Sequence, residues 1–391
     1  MKRARRAKRR SSSILRASNL LVDLSDPRFE QGTVHHALEA LDARGIRPIR
    51  DHRTPEPILS WIDLEFGGVW SSEAAAGGIY IADDPSGPLG FAAFDARGLA
   101  FHWLRRWQQK GGVGIFGPFG VVERARATGL GPVLLHAAMF SLRERGYRHA
   151  LIPVVGDERL VAYYARETGA RAVETVDLTR RGRRWRVTVL ASGEGTNFQT
   201  VVDAARAGEI PLDVTALVVN REAAFVRERA SAAGVPAQLV AWQRGDESRE
   251  TYDSRVLTAV AATEPEIVLL LGWMHVLPPA FLARFPQVVN IHPAFLPLDP
   301  ALDRITMPDG VVIRAFRGAR AVDDALAEDS PWIGATVHRV GVAVDRGQVL
   351  ARAPLAVTAD EDRAALDERL HALERLVLLT AIHRWCWEQP D

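Results

Sequence analysis

The sequence predicts two α/β domains behind a short basic tail. Two stretches, at residues 113–142 and 186–207, each run from an aliphatic segment through a glycine-rich turn into an amphipathic helical pattern. Between them lies a charged, glycine-containing seam, Thr179-Arg-Arg-Gly-Arg-Arg184, with the character of an interdomain linker. The chain has 391 residues, room for two or three domains at about 150 residues each. A hydrophobic share of 47% with 25% charged residues is globular composition and excludes disorder along the whole chain. The longest nearly uncharged apolar run, residues 267–274, falls far short of the ~20 residues of a membrane helix. No apolar segment follows the basic start closely enough to form a secretory signal. Cys386 is the single cysteine; it supports neither an internal disulfide nor a cysteine-built zinc site. A reducing cytoplasm is therefore the expected compartment, and no metal is expected.

Residues 1–18 read as the tail. The first ten carry seven Lys/Arg and no acid, and Ser11, Ser12 and Ser13 follow without apolar periodicity. A solvated arm is the expected state, with a contact to RNA or phosphate, or an Arg-rich, acid-free transit peptide, as the alternatives. The formal net charge of +1 hides a net acidic remainder, which argues against a body built to wrap nucleic acid.

Residues 19–180 form the first domain. Segments 78–82 and 89–94 read as a hairpin across the turn-forming Asp83-Asp-Pro-Ser-Gly-Pro88. Segment 113–122 is a strand with a bulge or bend at Gly117-Pro118. Arg126-Ala-Thr-Gly129-Leu-Gly131 leads into a helix with Leu130, Val133, Leu134, Ala137, Ala138 and Leu142 on one stripe. Pro132 suits its first turn and Gly146 its C-terminal cap. A buried strand at 149–155 and a helix at 158–168 follow. In such a turn the glycines allow close backbone approach, and the free N–H groups of the helix start point at an anion. This half resembles the GNAT acyltransferase superfamily through Arg126, Gly129 and Gly131, and through Tyr163-Tyr164 followed by Gly169-Ala-Arg171. The resemblance implies a mixed-sheet acyltransferase domain that binds the pyrophosphate of acetyl-CoA on Arg126, Gly129 and Gly131. Tyr164 is either a general acid or a packing tyrosine.

Residues 181–391 form the second domain. A strand at 186–190 and the turn Gly193-Glu-Gly-Thr-Asn197 open a helix, so Gly195, Thr196 and Asn197 offer backbone donors to a phosphate. Aliphatic runs at 214–219, 267–271 and 288–291 alternate with helical stretches, the pattern of a parallel sheet with helices on both faces. Ligands collect at the carboxyl ends of such strands. There the chain reads Asn290-Ile-His292-Pro, and strand alternation puts Asn290 and His292 on one side. Downstream, Gly334-Ala-Thr-Val-His338 and Asp345-Arg-Gly347 add a histidine and an acid. An amide, a histidine and a carboxylate suffice for acyl transfer to an amine. The amide donates to the developing oxyanion, the histidine moves protons, and the carboxylate favours the charged imidazole. No serine or cysteine is poised as a nucleophile, so direct attack by the substrate amine is the simpler route. The alternative is a histidine merely satisfied in the core.

These motifs, with Leu271-Gly-Trp-Met274, occur in an order that resembles the glycinamide ribonucleotide transformylase family, which has a Rossmann-like formyltransferase fold. The resemblance implies formyl transfer from 10-formyltetrahydrofolate to the amine of glycinamide ribonucleotide, a step of purine biosynthesis. Asn290, His292 and Asp345 are then catalytic. Gly195, Thr196, Asn197, His371 and Glu374 hold the phosphorylated substrate, and Arg249, Met274, His275, Val276, Leu277 and Gly341 hold the folate. Three departures stand out: Glu194 in the phosphate turn, His275 where arginine is usual, and a longer segment at 298–317 followed by Arg320 in place of a histidine. Formylation of another amine such as an amino sugar nucleotide, hydrolysis of the formyl folate, and a non-catalytic scaffold are the alternatives. A last helix is expected after the capping box Thr358-Ala-Asp-Glu361, with Leu366, Leu370, Leu373, Val377 and Ile382 as its stripe.

Overall fold

The computed structural model describes residues 16–180, 182–358 and 361–390; most of the basic tail therefore lies outside the described residues. The first half begins with β1 (Arg16–Asp23), α1 (Gln31–Asp42), β2 (Arg47–Asp51), α2 (Glu56–Glu65) and α3 (Trp70–Ala74). It continues with β3 (Gly78–Asp84), β4 (Gly87–Phe94), α4 (His102–Gln109), β5 (Val113–Val121) and α5 (Leu130–Glu144). It closes with β6 (His149–Val155), α6 (Glu158–Thr168) and β7 (Arg171–Asp177). β1 pairs from Arg16 onward with β7, so residues 16–18, expected in the tail, belong to a strand instead. The strands form one sheet in the order β2-β3-β4-β5-β6-β1-β7.

Every pairing in that sheet is antiparallel except β5 with β6. Those two pair only from Val113–His149 to Ile115–Leu151. Beyond that point β5 continues along β4 and β6 along β1, so the strands part and leave an opening. The N-terminus of α5 stands beside the opening, started by Gly129 at φ +85°, a left-handed conformation that glycine adopts without steric cost. The apolar stripe of α5 is buried against β3 and β4, with Leu130, Leu134, Ala137, Ala138 and Leu142 all solvent-inaccessible.

The second half runs β8 (Trp185–Ala191), α7 (Thr196–Arg206), β9 (Leu212–Val219), α8 (Val226–Ala232), β10 (Ala237–Leu239) and α9 (Arg249–Ala261). Then come β11 (Ile267–Leu270), α10 (Pro279–Arg284), β12 (Val288–His292), β13 (Arg304–Thr306) and β14 (Val312–Arg314). It ends with α11 (Ala321–Ala327), β15 (Trp332–Arg339), β16 (Val349–Ala356) and α12 (Arg363–Glu388). The sheet order is β10-β9-β8-β11-β12-β15-β16. Its first five strands are parallel, as the aliphatic runs predict, but β15 and β16 are antiparallel. The parallel expectation holds for the runs it was drawn from, and β15 and β16 extend the sheet as antiparallel strands. The long segment after β12 is not an open loop. It folds into the β13–β14 hairpin, which buries Ile305, Met307 and Ile313 against Phe295.

Helix α12 starts later than the capping box suggests. Its N-cap is Asp362, whose side chain accepts from the Ala365 amide at 2.8 Å. Thr358 donates instead to Glu361 at 3.2 Å, while Ala359 and Asp360 lie outside the described residues. The anticipated stripe does pack, with Leu366, Leu370, Val377 and Ile382 buried. The seam at 179–184 is tied down. The Arg180 guanidinium donates to the carbonyls of Cys386, Gln389 and Pro390 at the end of α12, and Arg184 donates to those of Ala205 and Leu212. Between the halves, Arg352 of β16 is fully buried against Asp63 of α2 at 2.8 Å and Glu56 at 3.1 Å. No helix of the described residues is long and apolar enough to cross a membrane.

Candidate functional site

A cavity of about 510 Å³ lies at the carboxyl ends of β8, β11 and β12, where a sheet of this topology leaves its strand ends open to a ligand. One wall is the turn into α7. Gly195 caps that helix at φ +75°, and a Cβ there would sit 2.4 Å from Val226 Cγ2. Conformation and space both demand glycine at this position. The first amides of α7 have no intrahelical partners and face the cavity rim, a ready anion site. Glu194 is exposed, and its carbonyl accepts from Arg229 at 2.8 Å.

Asn197 has a more specific arrangement than the sequence indicates. Its Nδ2 donates to Glu374 at 3.0 Å, while its Oδ1 is buried without a partner. The side chain thus presents an acceptor rather than a donor, so a phosphate would take the backbone amides and a ligand hydroxyl would suit Oδ1. Burial raises the Glu374 carboxyl above its ordinary value, against the opposing influence of Asn197 and His371. His371 is exposed one turn away on α12 and also lines the cavity.

The opposite wall holds the acid–base groups. Asn290 and His292 leave β12 on the same side, as alternation requires. Asp345, held at φ +50°, reaches both histidines: Oδ2 lies 3.5 Å from His292 Nδ1, and Oδ1 lies 3.4 Å from His338 Nε2. Asn290 Nδ2 is 3.3 Å from His338 Nε2. The Gly318 amide donates to Asp345 Oδ2 at 2.8 Å, and His292 Nε2 contacts the Phe316 carbonyl at 2.8 Å. Burial would raise the Asp345 carboxyl, but the His338 hydrogen bond, the His292 charge and the Gly318 amide hold it well below the usual carboxylate range.

For His292, burial wins. It pushes the imidazole below its ordinary value despite the raising influence of Asp345 and the Phe316 carbonyl. Asp345 acts in the expected direction, favouring the charged imidazole, but burial outweighs it. His338 completes the cluster. The sequence shows it inside a motif but gives it no role, because the antiparallel pairing that sets it beside Asn290 is a tertiary contact.

The folate-side residues divide. Met274, His275, Val276, Leu277 and Gly341 all line the cavity, with Met274 and Val276 50% and 58% exposed. His275 contacts the Tyr252 hydroxyl at 2.8 Å and sits among Trp242, Tyr252 and Trp273. Arg249 is not on the cavity wall. Its guanidinium bonds Asp253 at 2.8 Å and the Val276 carbonyl at 2.5 Å, so it braces the 274–277 loop from behind. Arg320 is exposed at the start of α11, and Arg317 instead binds Asp303 at 2.7 Å.

In the first half, Arg126, Gly129 and Gly131 share a wall of a cleft of about 1080 Å³ in the opening between β5 and β6. Tyr164 is buried against Phe116 and Phe119, and burial raises its phenol far above the ordinary value. That environment favours the packing role over the acid.

A mixed α/β half with an amide–histidine–carboxylate cluster at its strand ends has the makings of a group-transfer site. Residues 185–382, about half of the chain, match the formyl transferase family model, and the chain belongs to that family. It is 38% identical to the phosphoribosylglycinamide formyltransferase of Mycobacterium tuberculosis (strain CDC 1551 / Oshkosh), across 50% of this chain and 83% of that protein. The enzyme of the same name from Escherichia coli K12 is 31% identical, across 49% and 84%. The solved glycinamide ribonucleotide transformylase 1 of Geobacillus kaustophilus is 32% identical with a TM-score of 0.45, covering 51% of this chain and 98% of that one.

Proposed function

We propose that residues 181–391 transfer the formyl group of 10-formyltetrahydrofolate to the amine of glycinamide ribonucleotide. The convergence of Asn290, His292, His338 and Asp345 on a cavity whose far rim is the phosphate-suited turn of α7 carries this reading. The names of the relatives from M. tuberculosis and E. coli support it. In the proposal, the α7 amides take the substrate phosphate, and Asn197 with Glu374 and His371 takes its neighbouring hydroxyls. The half-exposed Met274 and Val276, with Gly341, suit the flat rings of the folate.

The amine nitrogen bonds the formyl carbon, the bond from that carbon to the folate nitrogen breaks, and one proton passes from the amine to the folate nitrogen. Asn290 donates to the formyl oxygen as it becomes anionic. Burial lowers His292 and so favours its neutral form; it accepts the amine proton and then delivers it to the folate nitrogen. Asp345 stabilises the imidazolium between those events. Both ring nitrogens of His292 are engaged, by Asp345 and by the Phe316 carbonyl, so proton exchange needs the 316–318 segment to shift.

The first half, residues 16–180, is proposed to bind acetyl-CoA, with its pyrophosphate on Arg126, Gly129 and Gly131 and an N-acetyl transfer as its chemistry. Support comes from the parting of β5 and β6 beside the free N-terminus of α5. Titrating the full chain with CoA tests this: Gly129→Trp should abolish binding, and no heat at millimolar CoA would contradict it. For the formyl reaction, the test is acceptor dependence. Formyl folate should be consumed far faster with glycinamide ribonucleotide than without it. Equal consumption with formate accumulating would favour hydrolysis, and a preference for another phosphorylated amine would reassign the acceptor.

A further inference from the structure

The cleft between β5 and β6 has a second end, away from the turn at Arg126–Gly131 in chemistry. Trp70, Phe101, Trp103 and Trp387 line it, and Glu73 of α3 joins them; Asp157 and Glu167 are the other acidic residues of the cleft. Phe101 and Trp103 stack at 4.9 Å, and Trp387 meets them edge-on at 6.3 and 5.3 Å. Trp387 belongs to α12, so the second half of the chain supplies one side of this aromatic box.

The Glu73 carboxylate has no hydrogen-bond or ion-pair partner among the described residues, although the residue is half-buried. The cation that acts on it, Arg384 of α12, is committed elsewhere. Arg384 Nε binds Glu388 at 2.9 Å, and its Nη1 donates to the Leu350 carbonyl at 3.2 Å and to the Ser72 hydroxyl. Burial lifts the Glu73 carboxyl up to about 7, with Arg384 opposing and Glu388 adding to the rise. A carboxyl facing an apolar cleft without a partner is costly until a cation arrives. Aromatic ring faces attract the same kind of charge.

We propose that this end of the cleft binds an organic ammonium ion, with Glu73 against the charged nitrogen and the rings of Trp70, Phe101, Trp103 and Trp387 around its apolar body. The proposal stands on the cleft alone and does not depend on the acyl-CoA reading. It is tested by calorimetric titration of the full chain with phenethylammonium and, separately, with its uncharged counterpart 2-phenylethanol. The ammonium should bind roughly tenfold or more tightly than the alcohol. Glu73→Gln should erase that preference while formyl transfer stays unchanged. Equal affinity for the two probes, no binding of either at millimolar concentration, or an ammonium preference that survives in E73Q would each overturn it.

Discussion

Asp345 faces two histidines with one carboxylate, and its charge is the quantity that sets the site. The oxygens lie 3.5 Å from His292 and 3.4 Å from His338. Replacing it by Asn keeps the shape and removes the charge. Because that charge raises the His292 value against burial, its loss lowers it further. The acid limb of kcat/KM is expected below the ordinary imidazole value, because burial lowers His292, and should move to still lower pH in D345N. Turnover should fall as well, because the base is weaker. A limb that stays in place would show that Asp345 does not act on the titrating group. Asn290 supplies a side-chain amide at this strand end. Asn290→Ala should slow turnover by up to about 10²–10³-fold if it serves the oxyanion, with substrate binding measured separately by calorimetry.

Among the elements, α7 has the most demanding start. Gly195→Ala forces a side chain onto a left-handed backbone and into contact with Val226 at 2.4 Å. The expected cost is about 1–3 kcal/mol of stability, with a raised KM for the phosphorylated substrate and a little-changed kcat. An unaltered KM would remove this turn from the site. The same element was legible in the sequence because its signals are local: an aliphatic run, a glycine turn, a periodic helix. The β12 end was legible for the same reason, since alternation alone orients Asn290 and His292. The β13–β14 hairpin was not, because its three-residue strands are too short to show a period and are held by Phe295 and by Ser60 of α2. Nor was the antiparallel turn of β15 and β16, since direction is decided by the connection rather than by the strand's own residues. The net titration of His292 is not legible in the sequence for a related reason. The residue is 4% exposed, with the Phe316 carbonyl on Nε2 and Asp345 facing Nδ1, contacts made by distant segments that no local pattern announces.

At the scale of the whole molecule, the two halves meet through buried charge. Arg352 holds Asp63 and Glu56 of the first half, and also donates to the Leu296 carbonyl at 2.7 Å, four residues beyond His292. Asp63→Ala leaves a guanidinium buried without its nearer carboxylate, which should cost about 3–5 kcal/mol, read as a lowered denaturation midpoint. Because Arg352 also steadies the chain after β12, the variant should lose affinity for the amine acceptor more than for the folate. The central claim, that the β12 strand end carries formyl transfer, is tested most directly by single-turnover formyl transfer in His292→Ala, with folate binding measured on the same protein. The account predicts folate affinity near that of the wild type and a rate reduced by about 10²–10⁴-fold; a folded variant that transfers the formyl group at close to the wild-type rate would contradict it.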